Sequence, residues 1–444
     1  MGRYFGTDGI RGIAGDELTA ELALAVGAAG MEVLGASGKE AVIGMDTRES
    51  SAMLASALAA GAASRGADAL MAGVVPTPAV AMLTAARGAA CGVVISASHN
   101  PFEYNGIKFF GPDGFKLPDS VEDEIEAALE GILAGKKAAR PDRFGRVLDF
   151  SEGQAAYEDF AVGTCPGGLK GLKVLLDCSN GAAFGIAPEA FRRLGAEVLV
   201  TADRPDGRNI NLGCGATAPK SMAEATLRLG CDIGFAFDGD ADRCIMADET
   251  GRVLDGDFEM AIIAGSMKER GLLGGDAVVA TAYSNMGFAE ALGAMGLRQL
   301  TADNGDRYVL EVMRANGLNL GGEQSGHIVM LDLCTTGDGL LTAIRLAQAV
   351  KASGKRATEL ASAMRKYPQG QMAVRVASKG ALADDAEIWG AVRAAEAELC
   401  GSGRVFVRAS GTEPVVRVMV EAADAEALER ILDGISLLVA KRLS

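Results

Sequence analysis

The stretch Val93–Lys108, VVISASHNPFEYNGIK, decides how the rest of the chain is read. Its apolar run, Val93, Val94 and Ile95, has the character of a short buried strand, and it stops abruptly in Ser96, Ala97, Ser98, His99, Asn100 and Pro101. A strand that ends in hydroxyls, an imidazole and an amide presents chemistry at its tip. Pro101 has no N–H and biases Asn100 away from helical geometry, so the loop is held open instead of continuing into a helix. Ser98 is then an exposed nucleophile, or the segment is only a polar turn; what separates the two readings lies elsewhere in the chain.

Outward from this stretch, strands and helices alternate. A helical pattern runs from Glu17, the strand Ala41–Met45 ends in Asp46-Thr47-Arg48, and a helix, a strand near Ala69 and another helix after Pro76 follow. That order predicts a mainly parallel sheet covered on both faces, with ligands gathered at the carboxyl ends of its strands. A helix from Val121 carries Val121, Ile125, Leu129 and Ile132 on one face, with Asp119 or Ser120 as its cap. Basic, polar residues around Pro141 mark a boundary. A second α/β unit runs from Leu172 and ends its last strand, Ile233–Phe237, in Asp238-Gly239-Asp240-Ala241-Asp242-Arg243. A third leads through Leu318–Gly322 into Glu323-Gln324-Ser325-Gly326-His327, and Lys366–Gln371 reads as a linker. The tail changes order, with strands at Met372–Val376, Arg404–Val407 and Val415–Val420 and an amphipathic last helix, the pattern of a small α+β domain. The expected domains are 1–145, 146–250, 251–367 and 368–444: three similar mixed α/β domains and a smaller α+β domain.

Composition narrows the function. At 444 residues the chain is long enough for roughly two to four domains. Its 43 Lys+Arg against 58 Asp+Glu give a net charge of -15, which argues against nucleic acid or an anionic membrane as partner. An anionic substrate would need a local cluster of cations. The eight cysteines are scattered with no C-x-x-C pair, as expected for reduced thiols. The first residues have no signal-peptide core, and apolar runs such as Leu22–Met31 are too short to span a bilayer, so the expected location is the cytoplasm.

Asp238, Asp240 and Asp242 stand at alternate positions directly after an apolar strand. Acids packed that closely repel unless a cation sits among them, and all-oxygen ligation selects a hard ion such as Mg2+. Glu249 falls at the twelfth position of an EF-hand register, but Arg243 occupies the place that needs glycine and the upstream flank is strand-like. A phosphorylated Ser98 would add roughly -1.5 to -2. With three aspartates and one Mg2+ the site remains negative, so Arg11, Lys108 and Arg243 are the cations expected to converge. Phosphoryl transfer requires such a site. Glu323, Ser325 and His327, rimmed by glycines, suit sugar hydroxyls. Arg408-Ala409-Ser410-Gly411-Thr412-Glu413-Pro414, with Arg417, has a phosphate-binding composition without being a Walker loop. The chain has two histidines, His99 and His327, and both fall in these polar loops.

Ser-Ala-Ser98-His-Asn-Pro, Asp238-Gly-Asp-Ala-Asp-Arg243, Gly322-Glu-Gln-Ser-Gly-His327 and Arg408-Ala-Ser-Gly-Thr-Glu-Pro414, in this order, resemble the four signature loops of the α-D-phosphohexomutases. Tyr4-Phe-Gly-Thr-Asp-Gly-Ile-Arg-Gly12, Gly-Cys214-Gly-Ala-Thr217, Gln324 and Thr335-Thr-Gly-Asp-Gly339 are similar to the bacterial branch acting on glucosamine phosphates. Leu212 and Ala218 depart from the polar residue and the histidine more common in the family. The resemblance implies four domains around one cleft and an isomerase in which phosphoserine 98 gives its phosphate to glucosamine 6-phosphate. A 1,6-bisphosphate of glucosamine or glucose is the implied intermediate or activator, and glucosamine 1-phosphate, leading to UDP-N-acetylglucosamine and cell-wall precursors, is the product. It implies one Mg2+ per chain on Asp238, Asp240, Asp242 and the Ser98 phosphate, and proton transfer by Lys108 with Arg11 and His99 beside it. Arg243, Glu323, Ser325 and His327 would hold the sugar, and Arg408, Ser410, Gly411, Thr412 and Arg417 the non-reacting phosphate. The implied partner is a small hexosamine phosphate, with no nucleic acid and no membrane; whether the chain pairs as a homodimer is left open by the sequence. The same chemistry on a mannose or glucose phosphate, or a non-catalytic sugar-phosphate binder, are the competing readings.

Overall fold

The computed structural model describes residues 4–6, 8–136, 141–410 and 414–444. Val93, Val94 and Ile95 lie in the strand Cys91–Ile95, every residue of which is buried. It is the fourth of seven strands, in the order Phe5–Gly6, Gly9–Ile13, Tyr104–Phe110, Cys91–Ile95, Glu40–Met45, Asp68–Val74, Val147–Asp149. From Cys91–Ile95 onward the neighbours are parallel, as the alternation of strands and helices requires. On its other side every pairing is antiparallel. The expected mainly parallel sheet is therefore mixed. The cause is loop length: residues 96–103 are too few for a parallel crossover, which takes a dozen or more, so the chain turns back on itself.

The same move recurs twice. Ile233–Phe237 pairs antiparallel with Cys244–Asp248 across the Asp238–Arg243 loop, in a five-stranded sheet. Leu320–Gly322 pairs antiparallel with Ile328–Met330 across the Glu323–His327 loop, in a four-stranded sheet. Each chemistry-bearing loop is thus the tip of a hairpin between buried strands, fixed at both ends by a ladder of hydrogen bonds.

Helices cover the sheets largely where the apolar spacing places them. Ala20–Val33 begins at an N-cap Thr19, whose hydroxyl accepts from Leu22 N at 3.2 Å. Asp119–Leu133 takes in both residues expected as its cap, Asp119 and Ser120, with Pro118 in the cap position. Behind the first sheet, Ile43, Leu54, Val93, Ile107, Phe109 and Ile125 belong to one buried cluster.

By its contacts the chain divides into two compact units, residues 1–283 with 299–363, and residues 284–298 with 364–444. In the second, three antiparallel strands lie in the order Gln369–Arg375, Val415–Ala422, Gly403–Ala409. Their apolar residues pack with Ile388 and Val392 of the helix Ala386–Leu399 and Ile431, Ile435 and Val439 of Ala425–Arg442. The stretch expected as a linker, Lys366–Gln371, enters the first of these strands at Gln369. All eight cysteines are free thiols, seven of them buried. No helix among the described residues is long and apolar enough to cross a membrane.

Candidate active site

Ser98 sits at the tip of its hairpin with φ 50°, and is 2% exposed. Its hydroxyl donates to Asp238 Oδ2 at 2.7 Å and lies 3.4 Å from His99 Nδ1. Ser96 plays a different part: its hydroxyl accepts from Ser98 N at 3.0 Å and donates to Asp46 Oδ2 at 2.6 Å. Asp46 in turn pairs with Arg48 Nε at 2.8 Å, both side chains being fully buried. The guanidinium of Arg48 then gathers the loop, donating to Ser98 O and Asn100 O at 2.9 Å each, to Tyr104 O at 3.0 Å, and to Pro101 O. Asn211 Nδ2 reinforces it from the second sheet's loops, reaching Ser98 O at 2.9 Å and Asn100 O at 3.2 Å. Leu212, where the family pattern departs, is 76% exposed.

Asp238, Asp240 and Asp242 are all buried, and each offers an oxygen within 4.8 Å of the others'. Asp240 Oδ2 accepts from Thr77 Oγ1 at 2.7 Å and from Lys108 Nζ at 2.9 Å. Burial opposes the charge on Asp240, but Lys108 and then Thr77 outweigh it and hold the carboxyl below its ordinary range. Asp238 goes the other way. Burial first, then repulsion from Asp242 and Asp240, pushes its carboxyl well up. Among the described residues, the Oδ1 atoms of Asp240 and Asp242 are buried without a hydrogen-bond partner. Orphaned, mutually repelling carboxylate oxygens at this spacing fit a hard divalent cation.

The cations converge as charge balance demands. Lys108 is buried, which works against its charge, yet Asp240 and Asp242 raise its pKa above the usual lysine value. Arg243 donates its backbone N–H to Asp238 Oδ1 at 3.1 Å, and its guanidinium stands 3.7 Å from Asp242. Burial, and then the charges of Arg243 and Arg11, lower the pKa of His99, so its ring is neutral near neutral pH. The Glu323–His327 loop joins the same group: His327 Nε2 is 3.8 Å from Asp242 Oδ2, and Glu323 accepts from Ser325 Oγ at 3.4 Å and from Gly305 N at 3.2 Å. Gln324 donates to Asp257 Oδ2 at 3.1 Å, anchoring that loop to the start of the helix Gly256–Glu269.

Two networks here carry residues the sequence reading left without roles. One is Asp46 with Arg48, whose signal was an Asp-x-Arg at a strand's carboxyl end. The other links Lys116, which bonds Asp306 Oδ2 at 2.5 Å and lies 3.5 Å from Asp8, to Arg11, 3.4 Å from Asp8, and to His327, 3.7 Å from Asp306. Arg408, Ser410 and Arg417 lie in the second compact unit, where Arg408 and Arg417 are directly paired across the two strands. Gly411, Thr412 and Glu413, like Thr7 of the N-terminal motif, fall outside the described residues.

Behind the aspartate loop, Asp338 caps the helix Gly339–Ser353. It accepts from Leu341 N at 2.9 Å and from Tyr157 OH at 2.8 Å. Burial, only partly offset by these donors, pushes its carboxyl up to about 6. The native state then binds this proton more tightly than the unfolded chain does. Stability must fall as pH rises from about 4, the unfolded carboxylate value, toward 6, and remain lower above it. Asp338→Asn keeps an acceptor for both donors, so it is expected to add ~1–3 kcal/mol at about pH 7.5. Urea midpoints of both proteins at about pH 5 and pH 7.5 check this; equal midpoints at the higher pH would count against a buried ionised Asp338.

Family models for the phosphoglucomutase/phosphomannomutase domains match the chain in order: alpha/beta/alpha domain I at residues 2–135, domain II at 161–251, domain III at 255–367 and the C-terminal domain at 372–438. Phosphoglucosamine mutase of Clostridium acetobutylicum is 48% identical over 446 residues, covering 100% of both chains. That of Moorella thermoacetica is 49% identical over 439 residues, covering 98% of each. Among solved structures, a phosphoglucomutase/phosphomannomutase family protein of Burkholderia thailandensis superposes with a TM-score of 0.80 at 25% identity, covering 99% of this chain and 97% of that one. N-acetylphosphoglucosamine mutase of Aspergillus fumigatus, in complex with GlcNAc-6P and magnesium, shares the fold with a TM-score of 0.69 at 19% identity, over 99% and 96% of the two chains.

Proposed function

The chain belongs to the phosphoglucomutase/phosphomannomutase family, and from that premise we propose that it interconverts glucosamine 6-phosphate and glucosamine 1-phosphate through a phosphate carried on Ser98. The observation that carries the mechanism is the Ser98 hydroxyl 2.7 Å from Asp238, within a group of three buried aspartates. Ser98 is the carrier, and Ser96 serves to position it.

Asp238, Asp240 and Asp242 would hold a Mg2+ ion together with a phosphate oxygen on Ser98. When bound, the ion supplies positive charge that stabilises the transferring phosphoryl group. The chain's own residues do the rest. A sugar hydroxyl attacks phosphorus, the new O–P bond forms as the bond to Ser98 Oγ breaks, and the bisphosphate remains in the site. Because Asp240 reinforces its charge, Lys108 enters as the acid: it gives a proton to the departing Ser98 Oγ and recovers one from the attacking hydroxyl. Arg11 and Arg243 add charge at the phosphoryl oxygens, and neutral His99 bears on the Ser98 hydroxyl. Glu323 and Ser325 grip the sugar hydroxyls in either orientation, with His327 beside them. Arg408, Ser410, Gly411, Thr412 and Arg417 bind the phosphate that is not reacting. The bisphosphate turns over, and its other phosphate returns to Ser98.

Mass analysis of the peptide carrying Ser98, before and after addition of glucosamine 6-phosphate, is expected to find a phosphate that exchanges with substrate. Turnover of glucosamine, glucose and mannose phosphates compared side by side is expected to favour glucosamine. Equal or better use of mannose phosphate would sink the hexosamine assignment, and an unphosphorylated, non-exchanging Ser98 would sink the mechanism.

A further inference from the structure

Two helices begin on the catalytic loops. Gly256 N of Gly256–Glu269 donates to Gln324 O at 3.0 Å, and Gly339 N of Gly339–Ser353 donates to Ala241 O at 3.0 Å. A Cβ at Gly256 would stand 2.2 Å from Glu323 O, and one at Gly339 2.4 Å from Arg243 O. Only glycine permits these seatings, so each helix rests directly on its loop.

Away from those loops the same helices line a cavity of about 210 Å³, walled by Ile263 and Met267 of the first and by Met330 and Leu333 at the edge of the third sheet. Arg270, which caps the first helix, and Arg345, on the second, face it together. Both donate to one neutral oxygen, Gln348 Oε1, at 3.0 and 2.7 Å, and Arg345 also donates to Thr164 O at 3.1 Å. Among the described residues neither guanidinium has a carboxylate partner. Asp332, also in the lining, accepts from Asn319 and pairs with neither arginine. Burial, and then the charge of Arg270, lower the pKa of Arg345, the mark of a cation short of compensation. In a chain with 58 acidic residues against 43 basic, two guanidiniums brought together on an apolar cavity are a positive focus that the fold leaves open.

We propose that this cavity binds a small organic oxyanion, a carboxylate or phosphate on a compact apolar body, apart from the sugar-phosphate site and coupled to it through the two helices. A guanidinium pair recognises either oxyanion by charge-assisted, bidentate hydrogen bonds. The cavity is below the roughly 300–1,000 Å³ of sites for drug-sized ligands, so the occupant is of single-ring size. The site stands independently of which hexose phosphate is turned over.

The test titrates the full chain, without substrate, with benzoate, phenyl phosphate and inorganic phosphate in a calorimeter. At least one aromatic anion is expected to bind saturably and more tightly than inorganic phosphate, and the tighter of the two identifies the oxyanion class. Arg270 is exposed, so Arg270→Gln leaves the fold and basal turnover intact. It should weaken the better probe about tenfold or more, the loss of a charged hydrogen bond. A saturating probe should change wild-type turnover at least about twofold, and this change should vanish in the variant. No saturable binding, or binding undiminished in Arg270→Gln, would overturn the site. Binding that leaves turnover unchanged would overturn the coupling. Because binding is read without substrate, failure here is distinct from failure of the mutase reading.

Discussion

Ser98→Ala is expected to lower glucosamine phosphate isomerisation by about 10⁴-fold or more, the scale on which covalent nucleophiles are lost. Alanine removes the oxygen proposed to carry the phosphate. The neighbouring hydroxyl of Ser96 is committed to Asp46 and to the Ser98 backbone. Ser96→Ala should therefore cost far less, about tenfold, through loop geometry alone. Turnover at saturating substrate, with the unaltered circular dichroism of both variants as control, separates them. Ser98→Ala activity within tenfold of wild type would remove Ser98 from the chemistry.

Arg48→Ala is expected to destabilise the first unit by ~3–5 kcal/mol, because it strands Asp46 as an uncompensated buried charge. It also takes one donor at once from the carbonyls of Ser98, Asn100, Pro101 and Tyr104, leaving Asn211 to hold those of Ser98 and Asn100. The nucleophile then loses its fixed direction, and kcat should fall about 10²-fold while KM changes little. Arg48→Lys should not rescue either quantity, since a single ammonium cannot reproduce a planar fork that bonds a carboxylate and four carbonyls. Urea denaturation and steady-state kinetics on both variants check this. A loss below about 1 kcal/mol, the range of an exposed ion pair, would show that the Asp46–Arg48 pair is not holding the loop.

The loops of the candidate site were legible because each is an abrupt change of character along the chain: Val93-Val94-Ile95 into Ser98, Phe235-Ala236-Phe237 into Asp238, Leu320-Gly321-Gly322 into Glu323. The antiparallel returns were not. Tyr104–Phe110 carries Asn105, Gly106 and Lys108 and reads as loop, but pairing on both sides makes it a central strand. Gly9–Ile13 likewise owes its strand conformation to Tyr104–Phe110 more than to its own glycines. Pro368 and Gly370 mask the start of the strand that pairs Gln369 with Glu421. Arg48 escaped notice for a related reason. Its importance lies in carbonyls fifty and more positions away, and no local pattern records that.

Ser98 holds φ 50°, a conformation that costs an L-residue roughly 1–2 kcal/mol and glycine nothing. The backbone at this position would be better served by glycine, so the hydroxyl is kept against the chain's own conformational preference. In a lineage released from the need for phosphate transfer, drift at this one position would run downhill toward glycine. A chain of this fold with glycine here therefore bears the signature of retirement from catalysis, legible even if its aspartates and sugar loop have not yet decayed.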